Sequence, residues 1–168
     1  SGSLEDLNVA RAVTNFPLLR KDFIINEYQL IEAKAHGADV ILLIASVLTR
    51  EEIKKLSTFA QSLGLEVLLE VHNREELEKS IMPSLDIFGV NNRNLKTFEV
   101  DLNASRTLVE KIPTDFVKIS ESGISDSAAI LDLKTYGFEG FLVGENFMKT
   151  NNPGASAAAF IKEIEDEA

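Results

Sequence analysis

Continuous apolar runs alternate along the chain with segments in which apolar residues recur every three or four positions. The apolar runs predict six strands, over Leu18–Ile25, Asp39–Ala45, Leu65–Val71, Leu85–Val90, Phe116–Ser120 and Gly140–Val143. The other segments predict seven helices, over Ser3–Val13, Glu27–His36, Thr49–Leu63, Asn73–Ile81, Asp101–Ile112, Ser125–Tyr136 and Pro153–Ile164. Every predicted strand is therefore followed by a helix, and one further helix precedes the first strand.

Polar residues at the element boundaries support these bounds. Thr49 and Glu52 form the sequence pattern of a capping box, and Asn73 with Glu76 repeats it. Gly37 follows the second helix at the position where glycine commonly ends helices. No linker or low-complexity segment interrupts the alternation, so residues 1–168 are predicted to form a single domain.

Strict strand–helix alternation predicts a parallel sheet covered by helices, which fits both a doubly wound sheet and a (β/α) barrel. The strand ends favour the barrel, because nearly all of them carry a polar residue or glycine. These residues are Lys21, Glu70, Asn91, Glu121 and Gly144. A barrel gathers groups from the ends of several strands onto one face, whereas a doubly wound sheet concentrates its site at one switch point.

Composition and charge exclude several functions. The 168 residues are 45% hydrophobic and carry a net charge of -10, which argues against nonspecific nucleic-acid binding and against attraction to an anionic membrane. Cysteine is absent, and the two histidines, His36 and His72, form no metal-ligand pattern. No apolar run is long enough to cross a bilayer. A cytoplasmic location is expected.

Two loops have the pattern of phosphate sites. Ser122 and Gly123 follow the fifth strand and precede a helix, while Gly144 and Glu145 follow the sixth. Backbone N–H groups in such turns can bind an anion, and a helix N-terminus favours negative charge. Barrels have eight strands, and their phosphate site usually follows strands 7 and 8. On that basis we expect six of eight βα units here, without the first two.

The residues at these strand ends resemble the indole-3-glycerol phosphate synthase family over the whole chain. The matching segments are LRKDFII at 19–25, LLEVH at 68–72, GVNNRNLKTF at 89–98, SESGI at 120–124 and FLVGE at 141–145. The resemblance implies a TIM-type (β/α)8 barrel and a lyase of tryptophan biosynthesis. Members close the indole ring of 1-(2-carboxyphenylamino)-1-deoxyribulose 5-phosphate, release CO2 and water, and use no cofactor.

The resemblance assigns three catalytic residues. Lys21 corresponds to the lysine that acts as general acid, and Glu70 to the general base. Glu121 corresponds to a carboxylate that binds and orients the substrate and the lysine. The alternative for Lys21 is a lysine that extends from a strand end into solvent, and the alternative for Glu70 and Glu121 is a salt-bridge or helix-cap carboxylate.

The resemblance also implies the binding residues. Asn91, Arg93 and Ser122 would contact substrate polar groups, and Phe23 and Leu42 its aromatic part, although Leu42 also fits ordinary core. Gly123, Gly144 and Glu145 would bind the phosphate through backbone N–H groups. Many relatives have a small polar residue at position 145, so the glutamate side chain is a departure from the family pattern.

The expected absence of two βα units bears on activity and partners. Family members carry a second catalytic lysine on the first strand, so we expect little turnover from these 168 residues alone. The open edges at the first and sixth strands are expected to pair in a homodimer or with a complementary N-terminal fragment. Two alternatives remain open: a self-associating, non-catalytic barrel fragment, or another phosphate-binding barrel enzyme such as a phosphoribosyl isomerase.

Overall fold

The computed structural model describes residues 2–167, in which strands and helices alternate as the sequence predicts. The strands are β1 Leu19–Arg20, β2 Val40–Ile44, β3 Glu66–Val71, β4 Ile87–Asn91, β5 Val117–Glu121 and β6 Gly140–Leu142. The helices are α1 Leu4–Val13, α2 Glu27–Ala35, α3 Arg50–Ser62, α4 Arg74–Ser80, α5 Asn103–Leu108, α6 Ser127–Thr135, α7 Glu145–Met148 and α8 Pro153–Glu167.

The chain divides into two compact units, one ending at Phe88 and the other beginning at Gly89, so that the boundary falls within β4. The prediction of a single domain over residues 1–168 stays a prediction. No helix within residues 2–167 combines the length and the apolar composition needed to cross a bilayer.

The first unit is built on three parallel strands in chain order, β1, β2 and β3. Every residue of β2 is buried, as expected for a central parallel strand that is covered on both faces. The β2–β3 register places Leu42 beside Leu68 and Ile44 beside Glu70. The end of β2 therefore lies next to the carboxylate that the sequence analysis singled out on β3.

Local hydrogen bonds define the helix starts of the first unit. Thr49 and Glu52 form the predicted capping box at α3, and Asn73 caps α4 by accepting the Glu76 N–H. Asn26 and Gln29 form another box at α2. Such caps satisfy N–H groups that have no partner within the helix, which typically stabilises it by about 1 kcal/mol.

The second unit contains β4 from Gly89 onward, followed in the sheet by β5 and β6. β5 and β6 are parallel, with Ile119 opposite Gly140 and Glu121 opposite Leu142. A Cβ at position 140 would lie 2.9 Å from Ile119 Cγ2, so the glycine allows these strands to approach. α6 begins after Asp126, which accepts the Ala129 N–H at 2.8 Å.

Three elements differ from their sequence predictions. β1 spans two residues rather than Leu18–Ile25, because Gln29 binds the Phe23 carbonyl and the Ile25 N–H and so takes that backbone away from strand pairing. The fifth helix begins at Asn103 and continues as a 3-10 turn over Val109–Lys111. The four-residue helix α7 was not predicted.

Candidate functional site

A row of alternating charges lies at the strand ends of the first unit. We call Lys21, Glu70, His72 and Glu76 the charge row. Lys21 Nζ lies 3.1 Å from Glu70 Oε2, and Glu70 Oε1 lies 3.2 Å from His72 Nε2. His72 Nδ1 in turn lies 3.1 Å from Glu76 Oε2. The fold therefore brings together Lys21 and Glu70, two of the three predicted catalytic residues.

Burial strengthens the electrostatic interactions between the members of the charge row. The side chain of Glu70 is 3% exposed and that of His72 is 11% exposed, whereas that of Lys21 is 47% exposed. A buried carboxylate is stable only when cations and hydrogen bonds compensate for its lost hydration. Lys21 and His72 both lie close to the Glu70 carboxylate, and the half-exposed ammonium of Lys21 can still reach a bound molecule.

His72 is cationic at neutral pH. Burial lowers the pKa of its imidazole, but the neighbouring carboxylates of Glu70 and Glu76 outweigh burial and raise the pKa to about 9. Burial raises the pKa of Glu76, but the hydrogen bonds from His72 outweigh it, so that this pKa lies below its usual value. The first unit therefore holds two cations and two carboxylates in one row.

In the second unit, the turn after β5 contains the predicted phosphate-site residues Ser122 and Gly123. Ser122 has φ 68° and Gly123 has φ 75°, so two successive residues lie in the left-handed region. A positive φ is uncommon for a residue with a side chain. Glu121, the last residue of β5, is buried at 2% exposure. The turn thus follows a buried carboxylate directly.

Asn92 holds this turn in place. Its Nδ2 donates to Ser120 Oγ at 3.0 Å and to the carbonyls of Glu121 and Ser122 at 3.1 Å each. Its Oδ1 accepts the Ser105 N–H at 3.2 Å, and the residue is 3% exposed. A buried amide with all these contacts fixes the carbonyl of a strained residue.

At the second predicted phosphate loop, Gly144 and Glu145, the glutamate side chain belongs to an ion-pair network. Gly144 precedes α7, and the Glu145 carboxylate lies 2.7 Å from Arg93 and 2.6 Å from Lys149. Lys149 and then Arg93 lower the pKa of Glu145. The fold therefore brings Arg93 and Glu145 together, and the glutamate is held by two cations.

The remaining predicted residues lie in different environments. Asn91 is 7% exposed, and its Oδ1 accepts the Arg93 N–H at 2.9 Å. Phe23 is exposed, whereas Leu42 is buried in the core of the first unit. An exposed ring suits contact with a bound molecule, while Leu42 has the environment of an ordinary core residue. The roles assigned to these residues stay predictions.

Sequence reasoning missed two residues, His72 and Asn92. His72 follows β3 directly. It lies between Glu70 and Glu76 in the sequence, and its ring lies between the same two carboxylates in the structure. Asn92 neighbours a predicted site residue, but its partners on β5 are 28 to 30 residues away. Nothing in the sequence indicated those distant contacts.

Comparisons with known proteins place the sequence of the chain in a family. The family model described as indole-3-glycerol phosphate synthase matches residues 1–162. The chain is 51% identical over 164 residues to the indole-3-glycerol phosphate synthase of Bacteroides thetaiotaomicron, covering 98% of the chain and 63% of that protein. It is 45% identical over 160 residues to that of Campylobacter jejuni subsp. doylei, covering 95% of the chain and 62% of that protein.

Solved structures resemble the chain in fold. The 3-hexulose-6-phosphate synthase of Salmonella typhimurium has a TM-score of 0.76 at 15% identity, covering 98% of the chain and 81% of that structure. The KGPDC of Streptococcus mutans has a TM-score of 0.70 at 17% identity, covering 95% of the chain and 77% of that structure. At such identities the likeness concerns the fold alone, and it confirms the predicted parallel (β/α) architecture of TIM type.

The match in sequence is closer and carries the family assignment. The chain spans less than two thirds of the length of the curated relatives that it matches. The family model nevertheless covers nearly all of the chain itself, including every predicted strand-end residue from Lys21 to Glu145. The chain therefore belongs to the indole-3-glycerol phosphate synthase family.

Proposed function

We propose that this chain supplies acid–base and phosphate-binding groups to an indole-3-glycerol phosphate synthase. This lyase of tryptophan biosynthesis closes the indole ring of 1-(2-carboxyphenylamino)-1-deoxyribulose 5-phosphate and releases CO2 and water. One observation carries the proposal: Lys21 and Glu70 lie 3.1 Å apart at the ends of β1 and β3, in a chain that the family model matches over residues 1–162.

Lys21 is the proposed general acid. Ring closure requires a proton at the substrate ketone, and loss of water requires another at the resulting hydroxyl. An ammonium that is 47% exposed can reach the substrate, while its contact with Glu70 holds the Nζ atom in place. Positioned proton transfer of this kind contributes about 10²- to 10⁴-fold to rate.

Glu70 is the proposed general base that removes the last proton as the indole becomes aromatic. Its carboxylate is almost fully buried, so little water can reach the oxygen atoms that would accept the proton. Glu121, equally buried, would bind and orient the substrate. Asn91 and Arg93 would contact substrate polar groups, and the exposed ring of Phe23 its aromatic part.

The phosphate group is proposed to bind at the turns after β5 and β6. The proposed donors are backbone N–H groups, which need no side-chain charge. They belong to Ser122 and Gly123, both at positive φ, and to Gly144 and Glu145. The Glu145 carboxylate would repel a phosphate, but Arg93 and Lys149 balance its charge. The proposed contact therefore uses the backbone at position 145 and leaves the side chain to its ion pairs.

Partners other than the phosphorylated substrate are also proposals. β1 begins the strand order of the first unit, and β6 ends that of the second. We propose that such edges pair with a second copy or with a complementary segment, because unpaired strand edges favour association. Light scattering after size-exclusion chromatography tests this: a monomer at all concentrations would contradict pairing between copies. A cytoplasmic location stays a prediction.

The test is a chimera in which this chain replaces the 164 matched residues of the B. thetaiotaomicron relative. Product formation is followed by indole-glycerol phosphate fluorescence, for the chimera and for this chain alone. We expect the chimera to be active and Lys21→Met to lower kcat about 10²- to 10⁴-fold. Lys54→Met, an exposed lysine on α3, is the matched control. An inactive folded chimera, or Lys21→Met with parental kcat, would contradict the proposal.

A further inference from the structure

The histidine of the charge row has no part in the roles assigned above, although both of its ring nitrogens face carboxylates. We infer that His72 is a positioning residue, whose imidazolium ties the Glu70 carboxylate to the N-terminal turn of α4 and keeps it ionised and correctly oriented. This inference rests on the proposed function, because it acts through the base assigned there. It adds a residue that the strand-end pattern did not include.

The two oxygens of Glu70 have separate partners. Oε1 lies 3.2 Å from His72 Nε2, and Oε2 lies 3.1 Å from Lys21 Nζ. The approach of His72 Nε2 to Oε1 is an ion-pair contact, whereas Lys21 Nζ donates a hydrogen bond to Oε2. The His72 cation therefore favours the orientation in which Oε1 faces the ring and Oε2 faces the lysine.

His72 is itself held from the helix side. Glu76 Oε2 accepts the His72 backbone N–H at 2.8 Å and faces Nδ1 at 3.1 Å. The other Glu76 oxygen accepts Asn73 Nδ2 at 2.9 Å, and the Glu76 N–H donates to Asn73 Oδ1 at 2.9 Å. The cap of α4 thus sets the position of Glu76, and Glu76 sets the orientation of the ring.

The surrounding charges favour the protonated ring. A neutral imidazole carries one N–H and no charge, so its other nitrogen would place a lone pair close to a carboxylate oxygen. Both nitrogens of His72 lie within 3.2 Å of carboxylate oxygens. Within residues 2–167, the charges that act on the His72 ring are those of Glu70 and Glu76, from β3 and α4.

This cation has a consequence for the base. Burial favours the neutral form of a carboxyl group, and a cation within 4 Å favours the ionised form. Removing the His72 charge leaves the buried Glu70 with less cationic compensation, which favours its neutral form. The acidic limb of the kcat/KM profile then moves to higher pH, whereas a merely structural histidine would leave that limb in place.

The experiment uses the active chimera. His72→Gln keeps the size and one hydrogen-bonding end of the side chain without the charge. We expect kcat to fall about 10-fold, the lower end of the range seen when the outer partner of a metal-ligating side chain is removed, with KM within about twofold and the acidic limb about one pH unit higher. His36→Gln is the matched control, because His36 bonds Asn8 at the end of α2 and is expected to keep the parental profile.

Two further measurements separate this inference from the proposed function. Glu70→Gln in the chimera tests the base: parental activity would contradict the proposed function. If Glu70→Gln is inactive while the His72→Gln profile superimposes on the parental one, the base stands and the positioning role is refuted. Nitrogen-15 shifts of the His72 ring decide protonation without catalysis. A doubly protonated ring at pH 7.5 that becomes neutral in Glu70→Gln supports the inference, and a neutral ring in the parent overturns it.

Discussion

The turn after β5 offers a quantitative test of how backbone conformation and packing act on one residue. Gly123 has φ 75°, and a Cβ built there would lie 2.1 Å from Val100 Cγ1. Gly123→Ala therefore adds two penalties. A non-glycine residue in the left-handed region costs about 1–2 kcal/mol, and forcing Val100 aside costs about 1–3 kcal/mol. The expected loss in free energy of unfolding is about 2–5 kcal/mol.

The variant Gly137→Ala measures the backbone penalty without the packing penalty. It has φ 96° and nothing within 4 Å of a built Cβ, so Gly137→Ala should cost only the backbone part, about 1–2 kcal/mol. Removing the Val100 methyl groups by Val100→Ala should bring Gly123→Ala down to the same value. Each variant is unfolded in urea and followed by circular dichroism at 222 nm. The reasoning is refuted if Gly123→Ala costs no more than Gly137→Ala, or if Val100→Ala gives no relief.

Three other predictions concern stability and the site. His72 has a folded pKa of about 9 against 6.5 unfolded, so its stabilisation is complete below pH 6.5 and is lost as pH rises through 9. The free energies of unfolding measured in urea at pH 6.5 and at pH 9.5 should differ by about 2 kcal/mol. The full pKa difference corresponds to roughly 3 kcal/mol, which solvent screening reduces. The difference between the two pH values should vanish in His72→Gln. Asn92→Leu should cost about 2–4 kcal/mol in urea unfolding by leaving buried partners unpaired, and an Asn92→Leu variant of parental stability would contradict that. Leu42→Ala in the buried strand β2 should cost about 2–5 kcal/mol, whereas Phe23→Ala at an exposed position should cost less than about 0.5 kcal/mol but raise KM of the chimera, and the reverse order of stabilities would contradict the burial argument.

The agreement between sequence and structure is closest where interactions are local. The capping box of Thr49 and Glu52 joins residues three apart, so the start of α3 could be predicted from the sequence. β2 could be predicted as well, because an uninterrupted branched apolar run suits a strand buried on both faces. β1 was predicted too long, since the backbone of Phe23 and Ile25 binds the Gln29 side chain on the following helix.

The candidate site depended on both levels. The sequence by itself indicated that Glu70, Asn91 and Glu121 lie where strands end, because a polar residue there interrupts an apolar run. Lys21 directly follows β1, and its contact with Glu70 was found in the structure.

Only the tertiary structure decided how these groups are held. The ion pairs of His72, the bonds of Asn92 to the turn after β5, and the pairing of Arg93 with Glu145 depend on side-chain positions set by packing. The last two join residues about 30 and 52 positions apart. A sequence pattern reports what each residue can do, but burial and distance decide which charges meet and therefore which protons are held.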